Sequence, residues 1–131
     1  MQLPLFQETH LPDCNALARC LNAQVVAIDI ETSTRYPGYG PKLDYGLSYC
    51  ADVTVIALAW FEDRQSVTTA LASPFDTSVL KFLTELFSQP RWLVAHNAVF
   101  DMRQLSKLTN GLIPTQVWDT QSMARLLHPA I

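Results

Sequence analysis

The sequence predicts an α/β domain in which a mixed sheet starts as three antiparallel strands and continues strand-helix-strand-helix. Short, β-branched apolar runs at 24–30, 53–61 and 91–95 read as buried strands. Amphipathic helical spacing appears between and after the later runs. The 131 residues, 49% of them hydrophobic, supply one core and not two.

Each element has its own local reason. Residues 12–22, "PDCNALARCLN", show modest helical spacing, with Asp13 placed to cap. "QVVAIDI", 24–30, is short, apolar and β-branched, which predicts the first strand. Residues 33–50 are rich in Gly, Pro and Tyr and read as loop. "VTVIALAWF", 53–61, is the second strand, "EDRQ" a turn, and "SVTTAL" the third strand of a hairpin. Asp76 then opens "DTSVLKFLTELFSQ", in which Val79, Leu80, Leu83, Leu86 and Phe87 form one apolar face, and Pro90 ends it. "RWLVA" is a fourth strand and "NAVFDMRQLSKL" a helix stopped by Asn110-Gly111. "TQVW" is a fifth strand, and Asp119 caps "TQSMARLL", which halts before Pro129.

Composition narrows the function classes. Charged residues are only 16%, against the usual quarter, which excludes a disordered tail and hints at apolar surface for a partner or further chain to cover. The net charge of -3 offers no broad basic field, so a nucleic-acid role would rest on a local site or on bound cations. Cys14, Cys20 and Cys50 are odd in number and lack metal-type spacing, as expected of reduced thiols in the cytoplasm. No run approaches membrane-span length, and "MQLPLFQETHLPDC" has no basic start of the secretory kind.

Two acids stand out at the end of the first strand. Alternate strand side chains share a face, so Asp29 and Glu31 project together while Val26, Ile28 and Ile30 point the other way. Unpaired, the two charges repel, and a divalent cation resolves the repulsion; hard oxygen ligands suit Mg²⁺ or Mn²⁺. The plain alternative is a pair of solvated acids where a strand meets a loop. A second constellation lies in "WLVAHNAVFDMRQL", where a strand runs straight into a helix. Asn97 sits at the junction, able to cap the helix, and Asp101 lies one turn on. Taken alone, Asn97 is a plain cap and Asp101 an acid favoured by the helix dipole. Two acidic strand-end sites in this order are a less ordinary coincidence.

These stretches resemble a known family. "AIDIET" is similar to the first motif of the DEDD, or DnaQ-like, 3′–5′ exonucleases, and "HNAVFD" to the second. "VWDTQSMARLL" resembles the Asp-Thr helix start that follows in many members. The proofreading domain of phage-type family A DNA polymerases is the nearest match, over about Val25 to Leu127. The resemblance implies an RNase H-like sheet and two-metal phosphodiester hydrolysis at the 3′ end of single-stranded DNA. It implies Asp29, Glu31 and Asp101 as metal ligands, Thr32 beside the terminal nucleotide, and Asn97 and Phe100 shaping its pocket.

The family's third motif, a fourth carboxylate with a nearby Tyr or His, has no counterpart downstream of Asp101. The expectation is a single domain over 1–131, incomplete at its C-terminus, whose fourth acid comes from a polymerase domain or a second chain. Asp119 is expected to cap its own helix and not to substitute. The competing reading is a catalytically inactive nucleic-acid-binding or polymerase-docking domain. Elsewhere, Tyr36, Tyr39, Tyr45 and Tyr49 with Arg35 and Lys42 either stack bases or fold back onto the protein. His96 reads as structural, Met102 and Met123 as core or helix filler, and Trp60, Trp92 and Trp118 as core.

Overall fold

The structure, a computed structural model, describes residues 14–33 and 52–128. In chain order these form α1 (Cys14–Cys20), β1 (Val25–Thr32), β2 (Val53–Phe61), β3 (Val67–Ala72), α2 (Thr77–Ser88), β4 (Trp92–Ala95), α3 (Ala98–Ser106), β5 (Val117–Asp119) and α4 (Thr120–Leu127). Asp13 and the tyrosines at 36, 39, 45 and 49 lie outside the described residues.

The strands form one sheet in the order β3-β2-β1-β4-β5. β1 is antiparallel to β2 and parallel to β4, which is in turn parallel to β5. This is the predicted mixed sheet, and its hairpin start comes from the six-residue pairing of β2 with β3. Pairing in this order brings the C-terminal end of β1 beside that of β4, although some 60 residues separate them.

One face of the sheet carries the core. Val26, Ile28 and Ile30 are buried in β1, and the register sets them against Trp60, Leu58 and Ile56 of β2. Val79, Phe82, Leu83, Leu86 and Phe87 of α2 pack into the same cluster, with Ala98, Met102 and Leu105 of α3. The helix α2 begins where the sequence places it: the Asp76 carboxylate accepts the Ser78 N–H at 2.9 Å. The exit of α3 needs a left-handed backbone. Asn110 (φ 55°) and Gly111 (φ 88°) supply it, and the Gly111 N–H reaches Ser106 O at 2.8 Å.

A buried cation ties the ends of two elements together. Arg91 donates through Nη1 to Leu21 O (3.0 Å) and Ala23 O (3.2 Å), and through Nη2 to Gln89 Oε1 (2.8 Å). It thereby takes up carbonyls left over where α1 ends, just before β4 begins. Burial pulls its guanidinium below the ordinary value. Cys20, fully buried, has its thiol pushed up to about 12 by burial, which leaves it an inert core side chain.

Two expectations are corrected. Trp60 is core, but Trp92 and Trp118 are 42% and 47% exposed. Alternation puts them on the sheet face away from the core, where their rings pair at 5.7 Å between centroids. On that face Ala27, Ala57 and Ala59 leave an open hollow of about 560 Å³ that reaches Asp29, His96 and Thr120.

Candidate active site

Strand alternation fixes the first two acids. Asp29 and Glu31 stand on the exposed face of β1, alternating with buried Ile28 and Ile30. The β1–β2 register shifts between Glu31 and Thr32, so the strand bends as it leaves the sheet, and Thr32 is half-buried there. Val94 pairs with Ala27, so two residues further along the parallel strands come Asp29 and His96. Asn97 and α3 follow at once.

Asp101 is the fourth residue of α3 and only 4% exposed. Its Oδ2 is buried and has no hydrogen-bond partner among the described residues. Burial, then the charges of Asp29 and Asp119, push its carboxyl up to about 7. The structure therefore brings Asp101 under the influence of Asp29, across a separation of 72 residues in sequence. Glu31 shares the strand face with Asp29, two residues further along β1. Among the described residues, no three His, Cys, Asp or Glu side chains gather as ligands of one ion.

The donor set nonetheless fits a hard divalent cation in kind. A buried carboxylate oxygen without a partner, raised by a second carboxylate, is an electrostatic deficit that a positive charge would relieve. Among the described residues, the charges that act on it are those of Asp29 and Asp119, both negative.

The start of α3 departs from the sequence reading. Asn97 occupies the cap position, but its backbone is left-handed (φ 61°, ψ 58°) and its side chain makes no cap bond. Asp119 does the work instead. Its Oδ1 accepts the Asn97 N–H at 3.0 Å and its Oδ2 the Ala98 N–H at 3.0 Å. The same Oδ1 accepts Gln121 N–H (2.9 Å) and Ser122 N–H (3.4 Å), capping α4 as expected. Burial works to raise this carboxyl, but the four N–H donors outweigh it and hold it below the usual range. Three of these donors fall on Oδ1, and among the described residues Oδ2 accepts only the Ala98 N–H. A second strap joins the same segments: His96 Nδ1 lies 3.0 Å from Thr120 Oγ1.

The link between Asp119 and α3 comes from the sheet and not from any local spacing in the sequence. Parallel β4 and β5 place Asp119 beside Ala95, two residues before Asn97. Phe100, the remaining predicted pocket residue, is half-buried on the first turn of α3, beside Asp101.

No curated protein matches the chain. The family described as 3′–5′ exonuclease matches residues 13–130, which takes in every described element of the fold. With the motifs at Asp29, Glu31 and Asp101 brought to one end of a five-stranded mixed sheet, the chain belongs to the 3′–5′ exonuclease family of the DEDD type.

Proposed function

We propose that this chain is a 3′–5′ exonuclease module acting on the 3′ end of single-stranded DNA, with Asp29, Glu31 and Asp101 holding Mg²⁺ or Mn²⁺. The observation that carries the reading is the buried Oδ2 of Asp101, unpartnered among the described residues, in a carboxyl raised by burial and then by the charge of Asp29. Bound divalent ions of this kind supply an activated water and stabilise a leaving oxygen. The chain's own part is to orient and to exclude water. Asp29 and Glu31 present carboxylates from a rigid strand, and Asp101 offers a third from a dry site. Thr32, Asn97 and Phe100 would border the terminal nucleotide. The hollow beside Asp29, at about 560 Å³, falls within the size range of small-ligand sites. Asp119 is engaged by backbone N–H groups, and the reading assigns it to holding the helix starts and not to the metal.

A second reading has its own support. The acids do not gather as a three-ligand set among the described residues, which suits a nucleic-acid-binding or polymerase-docking domain without catalysis. One experiment separates the two. Labelled single-stranded DNA is incubated with Mn²⁺ and the chain, alone and with a family A polymerase domain supplied in trans. Stepwise shortening from the 3′ end that is lost in Asp29→Ala establishes the nuclease; retention of DNA with no shortening in either mixture establishes the binding domain.

A further inference from the structure

We propose that Asp119 is a positioning residue for the site, bridging the starts of α3 and α4 so as to set the seat and roll of α3 and hence the place of Asp101. The inference rests on the reading of Asp101 as a cation ligand and goes beyond it to a residue outside the motif acids.

The helix α3 has nine residues, too few to be held by its own propensity. On its core side it is fixed by Ala98, Met102 and Leu105. At its N-terminus the residue that should cap it does not, because the left-handed backbone of Asn97 leaves its side chain without a cap bond. The same backbone turns two successive N–H groups, those of Asn97 and Ala98, toward a single anion. That anion is the Asp119 carboxylate, one oxygen to each. Ala98 and Asp101 are three residues apart and so lie on one side of the helix. A displacement at the Ala98 amide therefore carries over to the Asp101 carboxylate one turn on.

The anchor is itself rigid. Asp119 ends β5, paired beside Ala95, and its Oδ1 is held from the other side by the Gln121 and Ser122 amides. The hydrogen bonds are charge-assisted, with N···O distances of 2.9–3.0 Å for three of the four. Side chains that hold a ligand in place are commonly worth about 10–100-fold in metal affinity.

The test compares Asp119→Ser and Asp119→Glu with the unmodified chain. Serine still caps α4 but cannot span to Ala98, and it removes the charge. Glutamate keeps the charge but carries the carboxylate one methylene too far. Mn²⁺ affinity is measured by calorimetry at a temperature where circular dichroism shows all three folded, and exchange of the Ala98 amide is followed by NMR. Positioning requires both variants to lose about 10–100-fold in Mn²⁺ affinity and to exchange Ala98 faster. If Asp119→Glu binds Mn²⁺ as the unmodified chain does, charge alone matters and the proposal is overturned. It is equally overturned if both variants melt lower yet bind Mn²⁺ unchanged, since Asp119 is then only a cap. If the unmodified chain takes up no Mn²⁺, the ligand reading of Asp101 fails and the proposal with it. That outcome is told apart by Ala98, whose protection in the unmodified chain still reports an intact bridge.

Discussion

Replacing Asp101 by Asn should stabilise the metal-free protein, by an amount that depends on pH in a definite way. In the fold, the Asp101 carboxyl is raised from 3.8 to about 7, chiefly by burial and then by Asp29 and Asp119. Between those two values the folded chain binds a proton that the unfolded chain has released. The unfolded state thus holds fewer protons, and stability falls as pH rises from about 4 to about 7 and is level above that. At about 1.4 kcal/mol for each tenfold change, the full loss has a ceiling of about 4 kcal/mol. Water entry and movement of Asp29 relieve part of it, so about 2 kcal/mol is the expected gain for the variant at pH 8, or about 8 °C in melting temperature. At pH 4 and below, where the acid is neutral in the fold, the two proteins should melt within about a degree of each other, since no charge separates them. The assay is thermal melting by circular dichroism in EDTA across pH 4 to 8. Adding Mg²⁺ at pH 8 should then raise the melting point of the unmodified protein and leave the Asn variant where it was, because only a state that binds is stabilised. A variant that melts no higher than its parent at pH 8, or a difference independent of pH, would refute the account of Asp101 as an acid held against its charge.

Substitutions at two further positions test how the site is supported. Arg91→Met leaves the Leu21 and Ala23 carbonyls and the Gln89 amide without their donor, and should cost at least about 2 kcal/mol in urea denaturation, with Asp29 and Asp101 untouched. Asn97→Ala forces an alanine into the left-handed region and should cost about 1 kcal/mol, whereas Asn97→Gly should change stability by less than about 0.5 kcal/mol, because no side-chain cap bond is lost.

Much of the molecule is legible in its residues, for a physical reason that differs by element. The strand β1 could be read with its faces assigned, because a period of two and alternating burial are one and the same fact. The helix α2 could be read with its first residue, because Asp76 caps through a bond that closes within three residues. The candidate acids Asp29, Glu31 and Asp101 were likewise visible, since D-x-E at a strand end and N-x-x-x-D at a helix start are local spacings.

Trp92 and Trp118 show where local reading fails. Both sit in strands, and only the register, together with which face the helices cover, decides that they point outward and meet each other. Asn97 fails for the same kind of reason. Its residue type suits a cap, but the strand order brings in a stronger acceptor from 22 residues away, and Asn97 supplies a left-handed turn in its place.

By itself, then, the chain determined which segments become strands and helices, which face of each is apolar, and which acids sit at strand ends; all of these are set by interactions within a few residues. The tertiary structure decided which acids feel one another, which oxygen is left dry and unpartnered, and which carboxylate holds the helix that carries Asp101. Electrostatic coupling and desolvation act through space, and the distances that govern them exist only once β1, β4 and β5 lie side by side.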